Sequence, residues 1–350
     1  IIGHLVSCCP AVAYGMLYTK RLEHLKVTAL LQHADSFSAK IRLSSTCKLD
    51  ILWWISAIKL NQGFPVVRDS FDFEIFSDAS KSGWGVFCNG VKSHGFWTKD
   101  LSNRSINYLE LKAALYGIRI FAHDLHNLRI LLRIDNTTAI SYVNRYGGVA
   151  FPSLNEIARE IWQFCEKRSL TLFASYIPSK LNVEADKESR CSVYETEWEL
   201  SHSDFSNIIH FFPGFSCEVD LFASFTNAKF DQFVAWKPDP YCWKVDAFTI
   251  CWSHIRFYAF PPFSIISRVL QKIITDEAEG ILIVPLWPSQ HWFPLFKQIC
   301  VGNVLHIKPH SHLLFFCDRL HPLNNQLTLI AGFLSGKQWK NKTFQRNPPN

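Results

Sequence analysis

Two stretches near the start of the chain, AYGMLYTKRLEHLKVTALLQH (13–33) and TCKLDILWWISAI (46–58), repeat apolar residues every three to four positions. That period predicts helices. The segment NQGFPVV (61–67) breaks it and sets a boundary. The pattern then changes. FEIFSDA (73–79) reads as a strand, and GWGVFC and VKSHGFW read as two short strands joined by Asn89-Gly90, the dipeptide of two-residue hairpins. YLELKAALYGIRIFAHDL (108–125) returns to a helical period and is followed by the strand LRILLRID (128–135). Asn136 or Thr137 can cap the helix running through AISYVNRY. A helix over SLNEIAREIWQFCEKR leads to the strand LTLFASYI, and Asn182 can cap a turn in NVEADKESR. Five strands, the first three linked as hairpins and the rest alternating with helices, predict an α/β fold: a mixed sheet with flanking helices.

From about residue 204, Trp, Phe and Pro become dense, which suggests a separate domain. The last stretch, GKQWKNKTFQRNPPN, is polar and basic and reads as a disordered tail. The expected segments are helical 1–66, α/β 67–192, a linker 193–217, a further α/β domain 218–335 and the tail 336–350.

Composition narrows the function classes. At 350 residues and 48% hydrophobic the chain can bury a large core, yet no apolar run reaches the roughly 18 residues of a membrane helix. The opening IIGHLVSCC has no initiator Met, basic leader or cleavage site, and reads as a piece of something longer. The 11 cysteines lie scattered in apolar context without a CxxC pair, which suits reduced thiols in an intracellular protein. The formal charge of +6 permits a polyanionic partner without requiring one.

Candidate chemistry rests on four acids. Asp78 ends the first strand, Glu110 lies 32 residues on in a helix, Asp135 a further 25 at a strand end, and Asp186 a further 51 in a turn. Glu110 shares a helical stripe with Ala114 and Gly117, small enough to let that helix press on a sheet. Asp135 follows LRILLRI, too apolar for a surface ribbon, so Asp78 and Asp135 are expected at one edge of the sheet. Converging carboxylates repel unless cations neutralise them, and Mg²⁺ prefers such oxygen ligands. Taken singly, each acid has a plain alternative as turn residue, solvated helix acid, cap or dipole partner. Lys187 and Arg190 can reach substrate phosphate or pair with their own helix.

With these residues placed, the set FSDAS…GWG, NYLELKAA, RIDNTTAISYVN and IPSKLNVEADKESR resembles the ribonuclease H domain of reverse-transcribing retroelements of the DIRS type. The resemblance implies a ribonuclease H-like fold and hydrolysis of the RNA strand of an RNA–DNA hybrid. It implies Asp78, Glu110, Asp135 and Asp186 as ligands of two Mg²⁺ ions, with Mn²⁺ able to substitute. Asn136, Lys187 and Arg190 would then face substrate. Tyr176 stands where many relatives carry a histidine thought to assist water activation or product release. Residues 1–66 look like the joint between polymerase and nuclease, which implies the reverse transcriptase portion of a polyprotein as partner. A transposase-type integrase shares the fold, but its acids run Asp, Asp, Glu.

VDLFAS, WKPDP, VDAFTICW, YAFPPFSII and ILIVPLWPSQHWF are similar to phage-type adenine-N6 DNA methyltransferases, in which an acid or amide before Pro-Pro-aromatic holds the target amine. Here Phe260 precedes Pro261-Pro262-Phe263, so the resemblance implies a degenerate domain. Two other readings stand beside the nuclease: a non-catalytic nucleic-acid-binding remnant, and adenine-N6 methyl transfer by the later domain. His291 and the run HIKPHSH (His306, His310, His312) suit loop histidines better than Zn²⁺ ligands, since no cysteine pair joins them. Ser80 and Ser82 lack a His–Asp partner for nucleophilic catalysis.

Overall fold

The computed structural model describes residues 1–60, 70–191, 198–316 and 319–337. The boundary expected at 61–67 and nearly all of the basic tail lie outside them. The chain divides into two compact units, Ile1–Ser192 and Val193–Asn350. Among the described residues no helix is long and apolar enough to cross a membrane.

The first unit opens with helices α1 (Ile2–Cys8), α2 (Lys20–Gln32) and α3 (Ser45–Leu60). Strands β1 (Phe73–Ala79), β2 (Gly83–Cys88) and β3 (Val91–Phe96) follow, then α4 (Lys99–Ser102) and α5 (Ile106–Phe121). Next come β4 (Arg129–Ile134), α6 (Thr137–Asn144), α7 (Pro152–Glu166), β5 (Thr171–Tyr176) and α8 (Val183–Ser189). The sheet runs β3-β2-β1-β4-β5, antiparallel among the first three strands and parallel from β1 through β4 to β5. This is the five-stranded mixed sheet with flanking helices that the hydrophobic pattern predicts.

Local chemistry explains the pieces. Asn89 and Gly90 both take positive φ, 48° and 83°, between the facing pair Cys88 and Val91; that backbone twist matches the strands of a tight hairpin. Strand β4, between β1 and β5, turns Ile130, Leu132 and Ile134 to one face, where all three are fully buried in the core. Gly117 of α5 lies so close to the sheet that a Cβ there would sit 3.0 Å from Ile75 Cγ2 and 3.2 Å from Val86 Cγ1. The small-residue stripe thus seats α5 on β1 and β2.

The N-terminal helices share this core, since Leu17, Tyr18 and Trp54 pack in one cluster with Ile75, Leu132 and Trp162. Polar ties add to the packing. The guanidinium of Arg159 on α7 donates to both oxygens of the buried Asp50 on α3, and Trp53 Nε1 donates to Glu166 Oε1 at 2.8 Å. Residues 1–60 and the sheet therefore form one packed body.

The second unit contains β6 (Glu199–Leu200), α9 (His202–Phe211), β7 (Val219–Asp220), β8 (Gln232–Ala235), β9 (Lys244–Val245) and β10 (Arg256–Ala259). It continues through α10 (Ile266–Thr275), β11 (Glu279–Pro285), α11 (Phe293–Ile299), β12 (Leu305–Ile307), β13 (Leu314–Phe316), β14 (Arg319–Leu320) and β15 (Leu329–Ser335). A seven-stranded sheet runs β12-β15-β11-β10-β7-β8-β9, with β15 antiparallel to both of its neighbours. The span 193–217, expected as a linker, differs in its described part. Ser201 caps α9, and Leu200 and Ile208 are buried in the unit's own core, so the polar residues of SHSDFSN belong to a helix face.

Candidate metal centre

β1 and β4 lie side by side and parallel, with Phe76 facing Arg133. Two residues further along, Asp78 and Asp135 therefore leave the sheet at the same edge. Helix α5, capped by Ser105, whose Oγ accepts from Tyr108 N, brings Glu110 over that edge. One carboxylate oxygen from each of Asp78, Glu110 and Asp135 falls within 4.8 Å of the others. Two of the three side chains are almost completely shielded, Asp78 and Glu110 each being 4% exposed.

Three ionised carboxylates at that separation repel by roughly 3 kcal/mol per pair at the effective dielectric of a protein site. Burial and this mutual repulsion both favour the protonated carboxyl. Burial, then the charges of Asp78 and Asp135, push the Glu110 carboxyl up to about 9. Burial pushes Asp78 up to about 6, opposed by a hydrogen bond from Ser189 and aided by Asp135 and Asp186. Asp135 accepts a hydrogen bond from Ser179 Oγ at 2.6 Å.

The donors present fit a hard divalent cation. They are all oxygens, and Glu110 Oε2 is buried with no hydrogen-bond partner among the described residues, a costly state that a bound cation relieves. Asp78, Glu110 and Asp135 would hold such an ion.

Asp186 arrives separately, on α8. It pairs with Arg190, Oδ1 to Nη2 at 2.8 Å, and its charge is close enough to raise both Asp78 and Glu110. Arg190 thus pairs with its own helix, and Lys187 is exposed on the same short helix. Asn136 is the α6 cap: its Oδ1 accepts from Ala139 N at 2.9 Å, while its Nδ2 donates to Asn107 Oδ1 at 2.8 Å. Tyr176 ends β5 opposite Ile134 and is 54% exposed.

Asn182 corrects an expectation. It precedes α8, but its side chain makes no cap; Nδ2 instead donates to Ser77 O at 3.0 Å, which ties the helix entry to β1. Two further residues, Ser179 and Ser189, were missed by sequence reading. A serine beside an acid is too common a pairing to signal contact across 44 or 111 positions.

Gly85 decides where α8 sits. A Cβ there would lie 2.3 Å from Ala185 O and 2.4 Å from Ser189 N, both backbone atoms of the helix. Lys92 and His94 of β3 then pair with Glu184 and Glu188 on either side of Asp186. Gly85→Ala is expected to push α8 off the hairpin, costing about 1–3 kcal/mol of stability. Thermal melting checks this; an unchanged melting temperature would show that the helix seat yields freely.

In the second unit, Pro261, Pro262 and Phe263 line a cavity of about 250 Å³ together with Phe222, Phe260 and Trp198. Of the histidines weighed as ligands, His291 Nε2 lies 2.8 Å from Ser267 Oγ, and His310 Nε2 lies 2.8 Å from Asp204 Oδ2. Ser80 Oγ donates to Ser189 O at 2.6 Å. The described cysteines are free thiols.

No protein-family model and no curated protein matches the chain. Solved structures do. Ribonuclease H1 from the halophilic archaeon Halobacterium salinarum NRC-1 is 16% identical over 33% of this chain and 92% of its own, with a TM-score of 0.28. The LC11 ribonuclease H1, isolated from compost by a metagenomic approach and seen with an RNA/DNA hybrid, is 20% identical over 33% and 93%, with a TM-score of 0.29. The prototype foamy virus protease-reverse transcriptase is 15% identical over 49% of this chain and 23% of its own, with a TM-score of 0.21. At such TM-scores the candidate site rests on its own geometry.

Proposed function

We propose that the first unit is a divalent-cation-dependent ribonuclease that hydrolyses the RNA strand of RNA–DNA hybrids, as part of a retrotransposon polyprotein. The observation that carries this reading is the meeting of Asp78, Glu110 and Asp135, drawn from two strand ends and a helix, within 4.8 Å. Bound there, a pair of Mg²⁺ ions would supply positive charge for the entering and leaving oxygens of a phosphodiester displacement. Asp78, Glu110 and Asp135 hold the cation site, and Asp186 adds its charge from α8. Ser179 fixes one oxygen of Asp135 and so limits that carboxylate's rotation. Lys187 and Arg190 offer positive charge to substrate phosphate beside the acids. In the reaction a water oxygen bonds to phosphorus as the P–O3′ bond breaks, and the water proton ends on the 3′ oxygen. The products are a 3′-hydroxyl and a 5′-phosphate. Recognition by backbone phosphates and RNA 2′-hydroxyls suits an enzyme that must cut regardless of sequence.

The test uses the full chain with an end-labelled hybrid in Mg²⁺ and in EDTA. Cleavage of the RNA strand in Mg²⁺ alone is expected. Hybrid binding without cleavage in Mg²⁺ or Mn²⁺ would instead favour a binding remnant.

For the second unit we propose a degenerate methyltransferase-like domain without methyl-transfer activity. Among the described residues, none of those lining the cavity around Pro261 and Pro262 carries a carboxylate or an amide side chain, and Phe260 stands where an amine acceptor would be needed. S-adenosylmethionine binding measured by calorimetry would revive the transfer activity.

A further inference from the structure

Ser189 is 1% exposed and sits one turn after Asp186 on α8. Its Oγ donates to Asp78 Oδ2 at 2.5 Å and lies 2.9 Å from Asp186 O. Its own carbonyl accepts from Ser80 Oγ at 2.6 Å, in the turn that follows β1, two residues after Asp78. The contact between Ser189 and Asp78 is therefore closed from both sides: Ser80 holds the backbone of Ser189, and Ser189 holds the carboxylate that precedes Ser80. The seat of α8 on Gly85 sets the distance.

We propose that Ser189 is a positioning residue for the cation site, locking one oxygen of Asp78 so that the carboxylate presents the other toward Glu110 and Asp135. This assignment rests on the reading of those acids as cation ligands. A hydroxyl that donates to a carboxylate makes a stronger bond than one that donates to a neutral carbonyl, so Asp78 outcompetes the Asp186 carbonyl for the Ser189 proton. At 1% exposure no water replaces the hydroxyl when it is removed, and Asp78 gains rotational freedom that cation binding must then take away. The helix that brings the charge of Asp186 thus also orients Asp78. Outer partners of this kind are worth about 10–100-fold in metal affinity.

The experiment is calorimetric titration of the full chain with Mn²⁺ and with Mg²⁺, in parent, Ser189→Ala and Ser189→Cys forms, without nucleic acid. Melting temperature is recorded without cation. The expected result is a loss of about tenfold or more in cation affinity for Ser189→Ala and an intermediate loss for Ser189→Cys, whose thiol is the weaker donor. If the alanine variant does not fold, weakened binding by the cysteine variant supports the assignment. Parent-like affinity in whichever variant folds overturns it, even where the melting temperature falls, because a purely structural serine would alter only the latter. A parent chain that binds neither ion overturns the nuclease reading itself, a result distinguishable from tight parent binding that the variants share.

Discussion

Asp135→Asn is expected to lower hybrid cleavage by about a thousandfold or more, equivalent to roughly 4 kcal/mol of lost transition-state stabilisation. The amide keeps the shape of the carboxylate and can still accept the hydrogen bond from Ser179, so the sheet edge survives. What disappears is one of three charges that converge within 4.8 Å. Asp78→Asn and Glu110→Gln should be equally silent, because a site built from converging acids fails as a unit. Rates are to be compared on the same labelled hybrid at saturating Mg²⁺. Cleavage within tenfold of the parent by the Asp135 variant would remove the metal-site reading.

The second large effect is on stability and its dependence on pH. Glu110 is raised from 4.5 to about 9 by burial and by its acidic neighbours. A carboxyl that keeps its proton in the folded chain but loses it on unfolding makes stability fall as pH rises, from about 4.5 up to about 9. Asp78, raised from 3.8 to about 6, adds to the fall in the lower part of that range. Without cation, the first unit should therefore lose several kcal/mol between pH 5 and pH 8 through this site. A divalent ion has the opposite dependence. Between pH 6 and pH 8 it must displace the Glu110 proton, so its affinity should rise about tenfold per pH unit. Melting temperatures at pH 6 and pH 8, with and without 10-millimolar-range Mg²⁺ or Mn²⁺, separate the two trends. Mg²⁺ should raise the melting temperature far more at pH 8. Glu110→Gln should abolish that gain while stabilising the cation-free chain at pH 8. An equal cation effect at both pH values would mean that no buried proton is displaced.

The separate positions of the acids were readable along the chain, because each is tied to a pattern of short range. Asp78 follows an apolar strand, Asp135 ends a run too hydrophobic for a surface, and Glu110 lies on the stripe of Ala114 and Gly117. The Asn89-Gly90 hairpin was readable for the same reason, since its left-handed backbone is a property of two residues. Asn182 was misread, because a residue that suits a cap locally was claimed by a carbonyl of β1 105 positions away. The linker expected at 193–217 failed similarly. No local pattern there showed that Leu200 and Ile208 had a core to enter.

Periodicity and residue type alone determined the strands and helices of the first unit's sheet and the placing of two acids at strand ends and two on helical segments. Those are features of a few neighbouring residues, and local sterics and solvation settle them. Tertiary structure decided which acids meet, how deeply they are buried and where their protons sit. Burial is a property of what other segments lay on top. The hydroxyl of Ser189 touches Asp78 only because α8 rests on the bare backbone of Gly85, and no pattern in either segment names the other.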